Sequence, residues 1–138
     1  MSMIASEVEN IQKSLDKFVE GLRLLDYGMI SEIFFDKGLS CCSLKGEVSY
    51  VVRDHWKEMA EQAIARGEET ESEIGGYAIK SLNIIGNAAS VIIDLYFGTK
   101  DKITERYIDF YHMLKADDTW YIVNKIFPTD IKRGQVEE

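Results

Sequence analysis

Proline occurs once in the 138 residues, and cysteine and histidine twice each. With so little proline and no low-complexity stretch, nothing marks the chain as disordered or fibrous; 46% hydrophobic and 29% charged residues are the profile of an ordinary folded domain. The cysteines are neighbours, Cys41 and Cys42, poorly placed for an ordinary structural disulfide and without a second pair to build a zinc site. They are expected to be reduced thiols, which suits a reducing compartment. The histidines, His55 and His112, show no metal-ligand spacing, so no metal is expected, and no cofactor is implied. Basic residues are scarce, 16 Lys and Arg against 24 Asp and Glu, and they are interleaved with acids rather than gathered in a stripe. That speaks against nucleic acid as a partner, because phosphate binding needs clustered cations. Also missing are an apolar run near the ~20 residues of a bilayer span and a basic segment followed by an apolar one at the start. A cytoplasmic location without a membrane partner is the expectation.

What the chain has in quantity is strand-forming sequence towards its C-terminal end. From Ile103 to Leu114 the residues are mostly aromatic or β-branched. Ala116 to Thr119 form a short polar break, and Trp120 to Phe127 resume the pattern. This predicts a hairpin with Asp117 and Asp118 at the turn, Lys115 facing Trp120, Met113 facing Ile122, Tyr111 facing Asn124 and Asp109 facing Ile126. Period-two alternation then puts Tyr107, Asp109, Tyr111, Met113, Trp120, Ile122, Asn124 and Ile126 on one face. Arg106, Ile108, Phe110, His112, Tyr121, Val123, Lys125 and Phe127 fall on the other. The first face, which holds Trp120 and few polar groups, is assigned to the interior; a one-residue slip would reverse the assignment.

The length fits one domain with a single core, residues 1–128, followed by a polar tail, 129–138. Ile4, Val8, Ile11, Leu15, Phe18, Leu22 and Leu25 recur at helical spacing, which predicts a long amphipathic first helix, capped by Ser2 or Ser6 and broken at Asp26 and Gly28. A shorter helix over Met29 to Phe34 is expected to close at Gly38. Short strands follow on either side of Lys45 and Gly46, and then a helix from Val52 or Arg53 to Arg66 with Trp56 as its anchor. Glu68 to Glu73 reads as a solvated acidic loop, and Gly75 with Gly76 as a bulge or strand start. Tyr77 to Ile85 and Ala88 to Phe97 are strands joined by a tight turn. Helices first and a four-strand meander afterwards make an α+β chain. The expected architecture is a cone: a curved antiparallel sheet wrapped around the long N-terminal helix and the shorter helices, enclosing a pocket.

The helix LDKFVEGLRLLDYGMISEIF, the later NIIGNAASVIIDL and above all YIDFYHMLKADDTWYIVNKIF resemble the nuclear transport factor 2-like superfamily, which includes SnoaL-like cyclases and ketosteroid isomerases. Within it the last block and Trp56 are most similar to the putative lumazine-binding family, over about Ile4 to Phe127. The isomerase chemistry needs a carboxylate base and two acidic hydrogen-bond donors for an enolate oxygen. The resemblance puts Phe18 where the tyrosine donor stands, Cys42 near the base, and Asp109 at the protonated aspartate. Two of these three positions, Phe18 and Cys42, depart from the pattern, which speaks against steroid-type isomerisation.

Asp109 is the candidate catalytic residue, because an inward carboxylate between Tyr107 and Tyr111 needs donors or a wet pocket. Phe18, Cys42, Trp56, Tyr107, Asp109, Tyr111, Trp120 and Asn124 are the candidate pocket residues. Whether the protein is an enzyme stays open. The first reading is a dimeric binding protein for a small, partly aromatic or carbonyl-bearing molecule, paired with a second copy through the outer face of the sheet at Ile108, Phe110, Val123 and Phe127. The alternative is a small isomerase, dehydratase or cyclase using Asp109 as acid or base. A third is that side chains fill the interior and the protein acts only in assembly.

Overall fold

The computed structural model describes residues 3–67 and 74–131, and of Met3, Ile4, Trp56 and Ala60 it describes the backbone alone. Ser2, the acidic loop 68–73 and the tail from 132 onward lie outside the described residues. The elements are α1 (Met3–Leu24), α2 (Tyr27–Ile33), β1 (Phe34–Leu44), β2 (Glu47–Val52), α3 (Asp54–Ala65), β3 (Ile74–Ile85), β4 (Ala88–Gly98), β5 (Ile103–Ala116) and β6 (Thr119–Ile126). Among the described residues no helix is long and apolar enough to cross a membrane.

The apolar stripe of α1 is the buried one: Ile11, Leu15 and Phe18 have no exposed surface. Burying each such side chain is worth about 1.5–3 kcal/mol, enough to hold a helix whose other face is charged. Leu25, in the left-handed region at φ 52°, stops it. Asp26 restarts the chain as α2, its carboxylate accepting the Met29 N–H at 3.2 Å. The second helix does not run on to Gly38. It ends at Ile33, and Phe34 opens β1 directly. Gly38 lies inside that strand, where a side chain has no room: a Cβ would sit 2.8 Å from Phe34 Cε1 and 3.0 Å from the Val123 carbonyl oxygen. An apolar run such as Ile33-Phe34-Phe35 fits a short helix or a strand equally well, and the pairing of β1 with β6 decides it.

The sheet has six strands in the order β2-β1-β6-β5-β4-β3. All neighbours are antiparallel except β1 and β6, which run parallel. This corrects the expected cone. The sheet is mixed rather than antiparallel, and it is open: β2 and β3 are its two edges, at opposite ends of the strand order, and do not pair with one another. The parallel crossover adds the β1–β2 hairpin beside β6, so the sheet extends sideways instead of rolling around a helix. Helices α1 and α2 pack on it, α1 against β6 and β3 and α2 against β1 and β6. The hollow expected between helix and sheet is occupied by rings. Phe18 stacks on Phe34 at 5.9 Å between centroids and meets Tyr111 edge-on at 5.8 Å, with Trp120 wholly buried nearby in the same cluster.

The hairpin of β5 and β6 turns at Asp117 and Asp118, with φ of 47° and 64°, the left-handed pair of a type I′ turn. Lys115 faces Trp120 and Met113 faces Ile122, as the sequence predicts. Lys115 also ties the turn to α1, its Nζ donating to Glu7 Oε2 at 2.9 Å. That bond holds the Glu7 carboxyl below its ordinary value. Beyond Met113 the predicted register fails. Met113 pairs with Ile122 but His112 pairs with Asn124, so Val123 is an extra residue, a β-bulge in β6. From there on every side chain of β6 points to the face opposite to the one expected.

Candidate functional site

On the helix-facing side of β5, Asp109 and Tyr111 alternate inward, 4% and 1% exposed. The Tyr111 hydroxyl donates to Asp109 Oδ2 at 3.0 Å. Burial, followed by the neighbouring Asp109 charge and this hydrogen bond, pushes the Tyr111 hydroxyl well above its ordinary titration range. Tyr111 is therefore a fixed donor and Asp109 an acceptor. The third member is Lys125, which the bulge at Val123 rotates inward opposite Tyr111. Its ammonium lies 3.8 Å from Asp109 Oδ2 and 5.4 Å from the centre of the Phe127 ring. On the neighbouring strand the half-buried Lys125 pairs with Ser40, which is buried. A carboxylate, an ammonium and a phenol thus meet on a face that is otherwise lined by Phe18, Val91 and Ile93.

The predicted pocket residues are dispersed relative to this cluster. Phe18 packs on Tyr111, and Trp120 is buried three residues before the bulge, so both are walls rather than open surface. Tyr107 is half-buried, hydrogen-bonded to Glu105 and 5.2 Å from the Phe97 ring. Cys42 is a half-exposed free thiol on β1, paired with Ser49. Trp56 falls in α3, and its side chain lies outside the described residues. Asn124 pairs with His112 and Leu39 and does not join Tyr111. Lys125 takes the place expected of it. Alternation alone could not have found Lys125, since a bulge resets the phase without leaving a mark in residue type. The one trace was a lysine assigned to a face of Ile108, Phe110, Val123 and Phe127.

The arrangement is poor in proton-transfer groups. Phe18 carries no hydroxyl, and Asp109 Oδ2 accepts the Tyr111 hydrogen bond. Among the described residues no group of three His, Cys, Asp or Glu side chains is placed to hold a metal ion.

The opposite side of the sheet is apolar and open. Phe110, Leu114 and Ile126 are 41%, 47% and 42% exposed there. Two clefts flank the bulge, one of about 380 Å³ reaching Ile85, His112 and Val123, and one of about 310 Å³ between Phe35, Leu114, Tyr121 and Val123. Five clefts among the described residues, about 220 to 380 Å³ each, are lined by other residues than Asp109, Tyr111 and Lys125.

Comparison with known proteins places these features. No curated protein matches the chain. Solved structures do. An NTF2-like protein of unknown function from Silicibacter pomeroyi is similar over 91% of this chain and 98% of its own, at 21% identity and a TM-score of 0.72. Another from Shewanella baltica is similar over 96% of this chain and all of its own, at 22% identity and a TM-score of 0.71. A domain of unknown function with a cystatin-like fold from Nostoc punctiforme follows at 8% identity, covering 96% of this chain and 81% of its own, with a TM-score of 0.63. At such identities the likeness shows the fold, that of the nuclear transport factor 2-like superfamily, and not an activity. The family model described as "Putative lumazine-binding" matches residues 6–128, nearly the whole of the described structure, and the chain belongs to that family.

Proposed function

We propose that the protein binds a small molecule at Asp109, Tyr111 and Lys125, works as a cytoplasmic homodimer through the outer face of its sheet, and does so without the full isomerase set. The observation that carries the reading is the buried Lys125–Asp109 pair, with side chains 15% and 6% exposed. A buried ion pair is no more stabilising than apolar side chains of the same size, because desolvation offsets the attraction. Stability gives no reason to turn a lysine inward beside a carboxylate; recognition of a polar ligand does. The dimer is supported by Phe110, Leu114 and Ile126, three large apolar side chains exposed on the outer face of the sheet.

Native mass spectrometry of the purified protein, followed by release and identification of what it carries, tests both parts. One small molecule per chain in a dimeric species is the expected result. A ligand-free chain at every stage of purification would remove the binding reading, and a monomer at micromolar concentration would remove the dimer. The rival, an isomerase, dehydratase or cyclase, rests on the same carboxylate. It falls if Asp109→Asn leaves the turnover of a discovered substrate unchanged.

A further inference from the structure

Three buried side-chain atoms have no hydrogen-bond partner among the described residues: Asp94 Oδ1, Trp120 Nε1 and Asn124 Oδ1. Of these residues, Trp120 is the one that lines one of the five clefts, a hollow of about 220 Å³ between α1, the end of α2 and the β5–β6 turn. The indole is wholly buried, so its unmet N–H carries a desolvation cost that an acceptor held in the cleft would relieve. That N–H lies towards α1. It stands close enough to the Glu7 carboxyl to help lower it without completing a hydrogen bond, and the Glu7 oxygens already accept from Asn10 at 3.2 Å and Lys115 at 2.9 Å. Asn10 is itself part of the cleft wall.

The rest of the lining is rich in donors. One side of α1 contributes Asn10, Lys13, Ser14 and Lys17 at helical spacing, and the turn contributes Asp118 and Thr119. Ile33 supplies an apolar stretch of wall. Lys17 is engaged with Glu32 and Lys115 with Glu7, whereas Lys13 makes no ion pair among the described residues. One uncommitted ammonium near a buried N–H suits a single negative charge spread over two acceptor atoms. A dianion would carry its second charge towards Asp118 and Glu32, and a neutral acceptor would leave Lys13 without a counter-charge. We propose that this cleft, apart from Asp109 and its neighbours, binds a small monocarboxylate. One carboxylate oxygen accepts from Trp120 Nε1 and the other from Lys13 Nζ, while a short apolar body lies against Ile33 and the indole ring.

The test uses the full chain at constant ionic strength and three probes: propionate, propionamide, which has the same shape without the charge, and sulfate, a dianion. Binding is followed by ¹⁵N NMR through the Trp120 indole N–H, told from that of Trp56 by the spectrum of Trp56→Phe. Propionate is expected to move the Trp120 indole proton downfield along a saturating curve, and to bind about tenfold tighter than propionamide or sulfate, the worth of one charge-assisted hydrogen bond. Lys13→Gln, a change on exposed surface, should weaken propionate by about three- to fivefold and leave propionamide as it was. Trp120→Phe keeps a ring and removes the N–H, and should weaken propionate about tenfold as read from the backbone amides of Lys13 and Ser14. If that variant does not fold, the indole shift and Lys13→Gln decide. An indole proton unmoved by propionate, propionamide or sulfate binding as tightly, or an unchanged affinity in Lys13→Gln overturns the proposal.

Discussion

Replacing Tyr111 by Phe removes one oxygen atom from the centre of the molecule, and its consequences can be worked out at two pH values. The residue is 1% exposed, so the ring keeps its packing on Phe18 and only the hydrogen bond to Asp109 Oδ2 is lost. A hydrogen bond to a charged acceptor contributes about 1.5–3 kcal/mol, and the variant should be less stable by that amount near neutral pH. In urea this is a midpoint about 1 M lower. At alkaline pH the difference shrinks. An ordinary tyrosine loses its proton near 10.0, whereas in the folded chain burial and Asp109 hold the Tyr111 proton to well above that. The folded state therefore binds more protons than the unfolded one above that value. The stability from Tyr111 is complete below the ordinary value and is lost as pH rises towards the folded one, by about 1.4 kcal/mol per pH unit. Parent and variant should converge as pH rises above about 10. Tyr77, raised by burial and by Asp16, and Tyr27, raised by its hydrogen bond to Asp54, are common to both and contribute to the remaining slope. Urea melts of the two proteins across this range check the argument. Equal stability at neutral pH, or parallel alkaline slopes, would refute the placement of a buried Tyr111 proton on Asp109.

Two other perturbations read separate features. Gly38→Ala places a methyl group 2.8 Å from Phe34 Cε1 and 3.0 Å from the Val123 carbonyl, and overpacking at that junction should cost about 1–3 kcal/mol in a urea melt; an alanine variant as stable as the parent would mean that β1 does not lie against the bulge. Asp117→Asn combined with Asp118→Gly supplies the residues a type I′ turn prefers at φ of 47° and 64°, and should raise stability by about 0.5–1 kcal/mol, with a loss of stability arguing for a different turn.

How much was legible in the sequence divides along range. The first helix, the turn at Asp117 and Asp118, and the facing of Lys115 with Trp120 follow from patterns within a few residues of each other, where periodicity and turn chemistry are decisive. The open sheet was not legible, because it depends on β1 lying parallel to β6, and the residues that meet there, Ser40 with Lys125 and Cys41 with Ile126, are far apart in the chain. Gly38 misled for the same reason: a glycine after an apolar run reads as a helix stop, whereas here its missing side chain admits a carbonyl from a distant strand. Simple alternation along β5 places Asp109 and Tyr111 inward, and the pairing of β5 with β4 is regular at that point. Their partner was missed because alternation was carried through Val123.

That extra residue gives the scaffold an unusual means of change. On a regular strand the group opposite a given position is altered by substitution, one side chain for another. Here the group that meets Asp109 and Tyr111 is set by how many residues separate Ile122 from it. If the same residues paired without the bulge, Val123 would face His112 and Asn124 would stand opposite Tyr111, so that asparagine would replace lysine at the site with no residue altered. Among relatives of this chain, the presence or absence of a bulge after the residue paired with Met113 is therefore expected to decide which side chain stands opposite Tyr111.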